Sequence, residues 1–548
     1  MQHLAYDMPY RTDVGSFTKN RVWVLHMIAS VRRRSVHFWS SLLIGSCVTV
    51  VMTPAIASAQ HRARLSSDLA TALAQPGAAG VHVVLEAPQS EIDRVVSAYG
   101  VEVVKRLQMG AVLTGTTAEL NALAGDTNVA ALTEDAVVKS TMAVVTQSTG
   151  ANQLWAGPSG DFGGLTGSGV VVGVIDSGIS LHPDVAKRLK LSVDFTGDTS
   201  GNADGYGHGT HIAGIIAGSG GGSHSDAGNA YVGMAPGAEL ISLRVLGADG
   251  TGYVSDVIAA LEWSIKNKDR YKLRVLNVSL GREPTSDPSD DPLAQAVERA
   301  VQAGLVVVAS AGNVGTTVDG APVVGAVVSP GDTPSALTVG ALNTMGTVDR
   351  SDDTIASYSS RGPVGDEDHP ESWQIKPDLV APGNAIVSAG ATDSYLWKNY
   401  PERRVTGTNG GSYLTLSGSS MAAAVVSGAV AQLLHADPGL TPAQVKFALQ
   451  YTAEPLPDFG LIDQGAGSLD VPLALAAATA LANGGNLSTI PESVQIGGQM
   501  IEGGDIAFFN KATWAGSTSG ATMVVGNTII WGSRDGNGGV GGNTIVWG

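Results

Sequence analysis

Between about residue 145 and residue 482, short apolar runs rich in β-branched residues alternate with segments of helical spacing. The runs fall at 170–175, 240–246, 274–280, 305–309 and 336–339, and helical segments such as 255–266 and 293–303 lie between them. A strand that is apolar on both faces must be covered on both faces, and a helix after each strand supplies that cover. The pattern therefore predicts an α/β fold, a doubly wound and mostly parallel sheet with helices on both sides. Such sheets carry function just beyond the carboxyl ends of their strands. Those are the positions to read for chemistry.

The flanking segments read differently. Residues 81–85, 101–107, 111–114 and 129–138 have strand character, and 90–99 and 117–124 have helical spacing. The order β-α-β-β-α-β is the ferredoxin-like split motif, a small α+β frame that serves many functions. Residues 483–548 form a Gly-rich, β-prone tail in which GNTIIWG (526–532) recurs as GNTIVWG (542–548). Two units are too few for a solenoid, and the segment is too short for an outer-membrane barrel. The tail reads as an edge strand pair or a flexible appendage, with cell-surface attachment through its Trp residues as the alternative.

Arg32, Arg33 and Arg34 precede an apolar run from Phe38 to Ala57 that ends in Ala57-Ser58-Ala59. A basic head, an apolar middle and a small-residue cleavage pattern predict a secretory signal over residues 1–59. The stretch before Met27 is long for such a signal, which makes Met27 an alternative start. A membrane anchor and a lipoprotein site at Cys47 are the competing readings. Cys47 is the sole cysteine, so no disulfide framework exists. Removing residues 1–60 takes 6 of 32 bases and 2 of 49 acids, so the net charge moves from −17 to −21. An acidic exported chain is no partner for nucleic acid, and its membrane contact is confined to the signal segment.

Three strand or helix ends carry candidate chemistry. Asp176 follows the run at 170–175, His208 stands in GHGTHIAG at 207–214, and Ser420 stands in GSSMAAA at 418–424, ahead of a long apolar helix. Taken singly, each residue is an ordinary turn or cap residue. Taken together they supply a nucleophile, a base near neutral pH and a carboxylate to orient the base. Asp, His, Ser is one of the chain orders in which this triad occurs. A serine at a helix start also sits among N–H groups able to stabilise an oxyanion.

On these blocks the chain resembles the subtilisin-like serine proteases (subtilases). The matches are VIDSG at 174–178, HGTHIAG at 208–214 and GSSMA at 418–422, with further blocks spread over about 165–475. The resemblance implies a subtilisin-like fold in which Asp176 orients, His208 acts as base and Ser420 attacks. His211 is assigned no catalytic role. Asn313, in ASAGN, matches the family's oxyanion asparagine. Ser279, Leu280 and Gly281 match a segment that pairs with the substrate backbone, and Gly252 belongs to the opposite edge. Ala309, Ala311 and Gly312 join Ser279–Gly281 around the first subsite. Small residues there lead to an expected preference for large apolar side chains.

Two departures stand out. Ala424 replaces a proline usual in the serine motif, and the Gly-rich stretch 218–228 replaces a region where many subtilases build a calcium loop. A structural Ca²⁺ is possible but without a clear motif, and no cofactor is required for the chemistry; Asp198 and Asp204 could bind such an ion but read first as solvated loop charge. The small domain resembles the family's propeptide, an inhibitor and folding chaperone released by a cut within 139–150.

The resulting expectation is a secreted serine endopeptidase autoprocessed from a zymogen. Its layout is a signal over 1–59, a propeptide over 60–145, a catalytic domain over 146–482 and a tail over 483–548. A binding scaffold without turnover and a self-processing or peptide-ligating enzyme are the competing classes.

Overall fold

The computed structural model describes residues 63–65, 69, 73, 80–107, 110–134, 141–156, 164–199, 203–223, 231–284, 287–317, 321–365, 373–509, 527–531 and 544–547. The expected signal, Cys47 and residues 135–140 lie outside them. The chain divides into two compact units, Met1–Asp135 and Ala136–Gly548.

The first unit contains β1 (Arg64–Leu65), β2 (Val81–Glu86), β3 (Glu102–Leu107), β4 (Gly110–Gly115) and β5 (Ala131–Glu134), with helices Gln89–Tyr99 and Thr117–Ala124. The strands lie in the order β1-β5-β2-β4-β3. Four of them thus reproduce the split βαβ arrangement expected from the sequence, with the short β1 added parallel to β5. Alternation does the folding: Val83 and Leu85 point inward and pack with Ile92, Val95, Leu120 and Leu123 of the two helices.

The second unit is built on β6 (Val171–Asp176), β7 (Leu189–Asp194), β8 (Glu239–Arg244), β9 (Leu273–Val278), β10 (Val306–Ser310), β11 (Leu337–Asn343), β12 (Thr354–Ile355) and β13 (Leu379–Pro382). The order is β12-β11-β10-β9-β6-β8-β7, and β13 also pairs with β11. Every pair is parallel except β11–β12. All six residues of β6 are buried, because its alternate side chains enter two separate cores. Val172 and Val174 join the core around helix Ser419–Ala436, whereas Val171 and Ile175 join the core under helices Val254–Tyr271 and Pro292–Gln302. The parallel sheet expected from the sequence is present.

Two boundaries differ from the expectation. The cut between domains at 145/146 falls inside helix Thr141–Ser148, which belongs to the second unit. Met142 and Val145 are buried in that unit's larger core, and the Thr149 carbonyl accepts from Val471 N–H at 3.1 Å. The first part of the tail is also no loose appendage. Hairpin strands β14 (Ser493–Ile496) and β15 (Gln499–Glu502) bury Ile496 and Ile501. Gln153 Nε2 donates to the Gln495 carbonyl at 2.8 Å, and Gln499 Oε1 accepts from Arg350 N–H at 2.9 Å. Beyond it, β16 (Ile506–Phe509) pairs with β17 (Asn527–Trp531), which pairs antiparallel with β18 (Thr544–Trp547). The two copies of the sequence repeat are thus partners in one sheet.

Candidate active site

Asp176 ends β6, and the strand's burial leaves its carboxylate fully shielded from solvent. The chain turns at Gly178, whose carbonyl presses so closely on Gly209 that any Cβ there would overlap it. This approach seats the first turn of helix His208–Ala217 on the strand end. His208 Nδ1 consequently lies 2.9 Å from both Oδ1 and Oδ2 of Asp176. A carboxylate only accepts, so Nδ1 carries the proton and Nε2 is left with a free lone pair.

Asp204 fixes the start of the same helix. Its Oδ1 accepts from Gly207 N–H at 2.7 Å and from the Ser177 hydroxyl at 2.8 Å. Its Oδ2 accepts from Thr210 N–H at 2.9 Å and from the Thr210 hydroxyl at 2.5 Å. The reading of Asp204 as solvated loop charge is therefore corrected: it is buried and satisfies donors at a helix N-terminus. Capping rules overlooked it because the cap position itself is Gly207 and Asp204 reaches in from three residues upstream. Asp198 is not free either; it pairs with Arg244 at 2.5 Å.

Electrostatics follow this packing. Burial opposes the charged form of His208, but the Asp176 carboxylate, by charge and hydrogen bond, and Asp204 by charge outweigh it and hold the imidazole above its ordinary range. Burial pushes His211 down to about 3. Its Nε2 faces the carbonyls of Ile386 and Leu414 at 3.1 and 3.0 Å, a structural placement in keeping with its having no expected catalytic role.

Ser420 sits in the first turn of helix Ser419–Ala436. The preceding residue does work the sequence reading did not assign. Ser419 N–H and its hydroxyl both donate to Asn313 Oδ1, at 2.9 and 3.1 Å, and Ser419 Oγ accepts from Gly312 N–H at 3.0 Å. With its carbonyl oxygen so engaged, Asn313 has its amide Nδ2 to offer as a donor. Behind Ser420, Asn277 Nδ2 donates to Ser279 Oγ at 2.7 Å, and Asn277 Oδ1 accepts from the Ser427 hydroxyl at 2.9 Å. This relay ties the end of β9 to the serine helix. Ala424 is buried within the helix, whose first turn forms without the proline usual in the motif.

His208, Asn313 and Ser420 line one cleft of about 570 Å³, together with Gly252, Ser279, Leu280 and Gly281. Leu246, Val254, Val257 and Leu293 give part of it an apolar wall. Ser420 Oγ is 3.2 Å from the Ser279 carbonyl, which is its hydrogen-bond acceptor in this structure. The sequence also places Ala309, Ala311 and Gly312 around the first subsite. All three are buried and none lines the cleft. Ala309 faces the core under the Val254–Tyr271 helix, and Ala311 is drawn onto the sheet by its N–H bond to the Val339 carbonyl at 2.9 Å.

Beside the Gly-rich stretch, Asp184 accepts from Gly222 N–H at 2.8 Å and from the Tyr413 hydroxyl at 2.6 Å. Among the described residues no cluster of three or more His, Cys, Asp or Glu could hold a metal ion.

A doubly wound sheet that presents an Asp–His pair and a helix-borne serine in one cleft is the architecture of a serine hydrolase. The subtilase family profile matches residues 167–485. The chain is 38% identical over 313 residues to serine protease AprX of Bacillus subtilis (strain 168), covering 56% of this chain and 66% of that protein. It is 34% identical over 302 residues to Subtilisin Savinase of Lederbergia lenta, covering 55% of this chain and 90% of that protein. The crystal structure of a cold adapted subtilisin-like serine proteinase aligns with a TM-score of 0.41 at 30% identity, covering 56% of this chain and 90% of that one. The chain belongs to the subtilase family of serine endopeptidases.

Proposed function

We propose that this protein is a secreted endopeptidase that cleaves peptide bonds through Asp176, His208 and Ser420. The observation that carries the reading is the Asp176–His208 pair, with Nδ1 at 2.9 Å from both carboxylate oxygens and Ser420 opening the facing helix. Peptide bonds are the substrate class of the family. An extended peptide laid between Gly252 and Ser279–Gly281 offers N–H and C=O groups that every sequence shares.

Binding and activation are linked in this reading. A substrate N–H that pairs with the Ser279 carbonyl displaces the Ser420 hydroxyl from it. The freed hydroxyl turns to His208 Nε2, which takes the proton as Oγ attacks the carbonyl carbon. Negative charge on the carbonyl oxygen is met by Asn313 Nδ2 and the backbone N–H of Ser420. His208 then passes the proton to the leaving amine, and water releases the acyl group by the same route.

Export rests on the expected signal over 1–59, and the Met1–Asp135 unit serves in this reading as inhibitor and chaperone. The maturation cut lies N-terminal to helix Thr141–Ser148, since a cut farther along the expected 139–150 window would sever a buried helix. The terminal repeat serves as a contact for the cell surface. A fluorophosphonate probe tests the central claim: the secreted protein labels at Ser420, the Ser420→Ala variant does not, and N-terminal sequencing of the same sample gives a start within 136–141. Failure of the native protein to label removes the catalytic reading.

A further inference from the structure

The part of the cleft that receives the side chain on the acyl side of the scissile bond can be located from the nucleophile outward. A carbonyl carbon held at Ser420 Oγ, with its oxygen toward Asn313 Nδ2, directs that side chain into the gap between Ser279–Gly281 and Ala311–Asn313. Both walls are bare there, because Gly281 and Gly312 carry no side chain. The gap is nevertheless filled. A Cβ built on Gly281 would overlap Val328 Cγ2, and one built on Gly312 would lie 2.8 Å from Val328 Cγ1 and 3.1 Å from Cγ2. The two methyl groups of one valine thus lie against both glycines.

Val328 is also fixed in place. Its N–H donates to the Ala311 carbonyl at 3.0 Å, and the next residue, Ser329, exchanges two 2.9 Å backbone bonds with Arg282. The Ser329 hydroxyl donates to buried Asp291 at 2.6 Å. A β-branched side chain on a backbone pinned to both walls has little rotamer freedom with which to withdraw. Behind it lies a second cavity of about 630 Å³ that Val328 helps line and that shares no lining residue with the catalytic cleft.

We infer that Val328 is a specificity-determining residue that closes the first subsite, so that the enzyme cleaves after small residues such as Ala and discriminates against large apolar ones such as Phe. This reverses the size preference expected from the bare walls, and it rests on the proposed protease activity of the same site. Large apolar groups are accepted elsewhere, in the recess bounded by Leu246, Val254 and Leu293.

The test compares peptides that differ only in Ala or Phe before the scissile bond, hydrolysed by the secreted enzyme and by its Val328→Gly and Val328→Ala variants. The native enzyme is expected to favour Ala in kcat/KM by at least about 10-fold, the scale on which apolar pockets resolve small differences in side-chain size. Val328→Gly should raise kcat/KM for the Phe peptide by at least about 10-fold while leaving the Ala peptide within about 3-fold, with Val328→Ala intermediate. A native enzyme that prefers Phe overturns the inference, as does an unchanged Ala/Phe ratio in whichever variant folds. If neither peptide is cut and the fluorophosphonate probe does not label, the protease reading itself has failed. Labelling with equal cleavage of both peptides defeats only the role given to Val328.

Discussion

Ser279 and Ser420 hold each other reciprocally: the Ser420 hydroxyl donates to the Ser279 carbonyl at 3.2 Å, and the Ser279 hydroxyl donates to the Ser420 carbonyl at 3.0 Å. One bond parks the proposed nucleophile, and the other fixes the backbone that carries it. Ser279→Ala removes the second bond and deprives buried Asn277 Nδ2 of its acceptor. Denaturant unfolding, measured in the Ser420→Ala background to prevent autolysis, should show a loss of about 1–3 kcal/mol. An unchanged midpoint would show that the relay carries no weight.

Asp176→Asn keeps the shape of the site but gives Nδ1 of His208 a neutral partner able to donate. The imidazole then loses the tautomer that makes Nε2 the base. Turnover of a peptide substrate should fall by about 10⁴, with KM little changed.

In the proposed mechanism Asn313→Ala removes a donor that acts on the oxyanion but little on the bound ground state. The expected loss is about 10²–10³ in kcat at nearly constant KM, a magnitude carried over from enzymes of this family. A rise in KM alone would place Asn313 in substrate binding instead.

In the proposed mechanism His208 has to be neutral to accept the serine proton. Because Asp176 and Asp204 hold its pKa above the usual value of about 6.5, the acidic limb of kcat/KM against pH should have its midpoint above that value. The sign for stability is opposite. A raised folded pKa stabilises the fold fully below the unfolded value, and that contribution is lost as pH rises through the folded one. The pH profile of Asp176→Asn should shift its limb downward, read from residual turnover.

Behind β11, one carboxylate serves two buried ammonium groups. Asp378 Oδ2 lies 2.9 Å from Lys376 Nζ, and Oδ1 lies 2.9 Å from Lys446 Nζ. Asp378→Asn leaves two cations without a counter-charge and should cost about 3–5 kcal/mol of stability in the Ser420→Ala background. A change below about 1 kcal/mol would mean that the backbone carbonyls around Lys376 suffice.

Much of this protein was legible in its sequence, for identifiable reasons. Strands buried on both faces, such as β6 and β10, announce themselves as apolar runs. The edge strand β7, half-exposed in alternation over LKLSVD, went unread because three of its residues face solvent. Asp176, His208, Asn313 and Ser420 stood out by chemistry and motif. Asp204, Asn277 and Ser419 did not, because their roles depend on which backbone groups the fold brings to them. The first subsite is a related case. Small residues were seen on both walls, but Val328, which fills the space between them, comes from a different stretch of chain.

The contact between Gln153 and Gln495, 342 residues apart in sequence, has a practical consequence. A proteinase in concentrated solution is surrounded by copies of itself, and each copy attacks whatever peels away from its neighbours. A hairpin late in the same unit clasps the segment that follows its first buried helix, and that segment should on this account resist cutting by sibling copies.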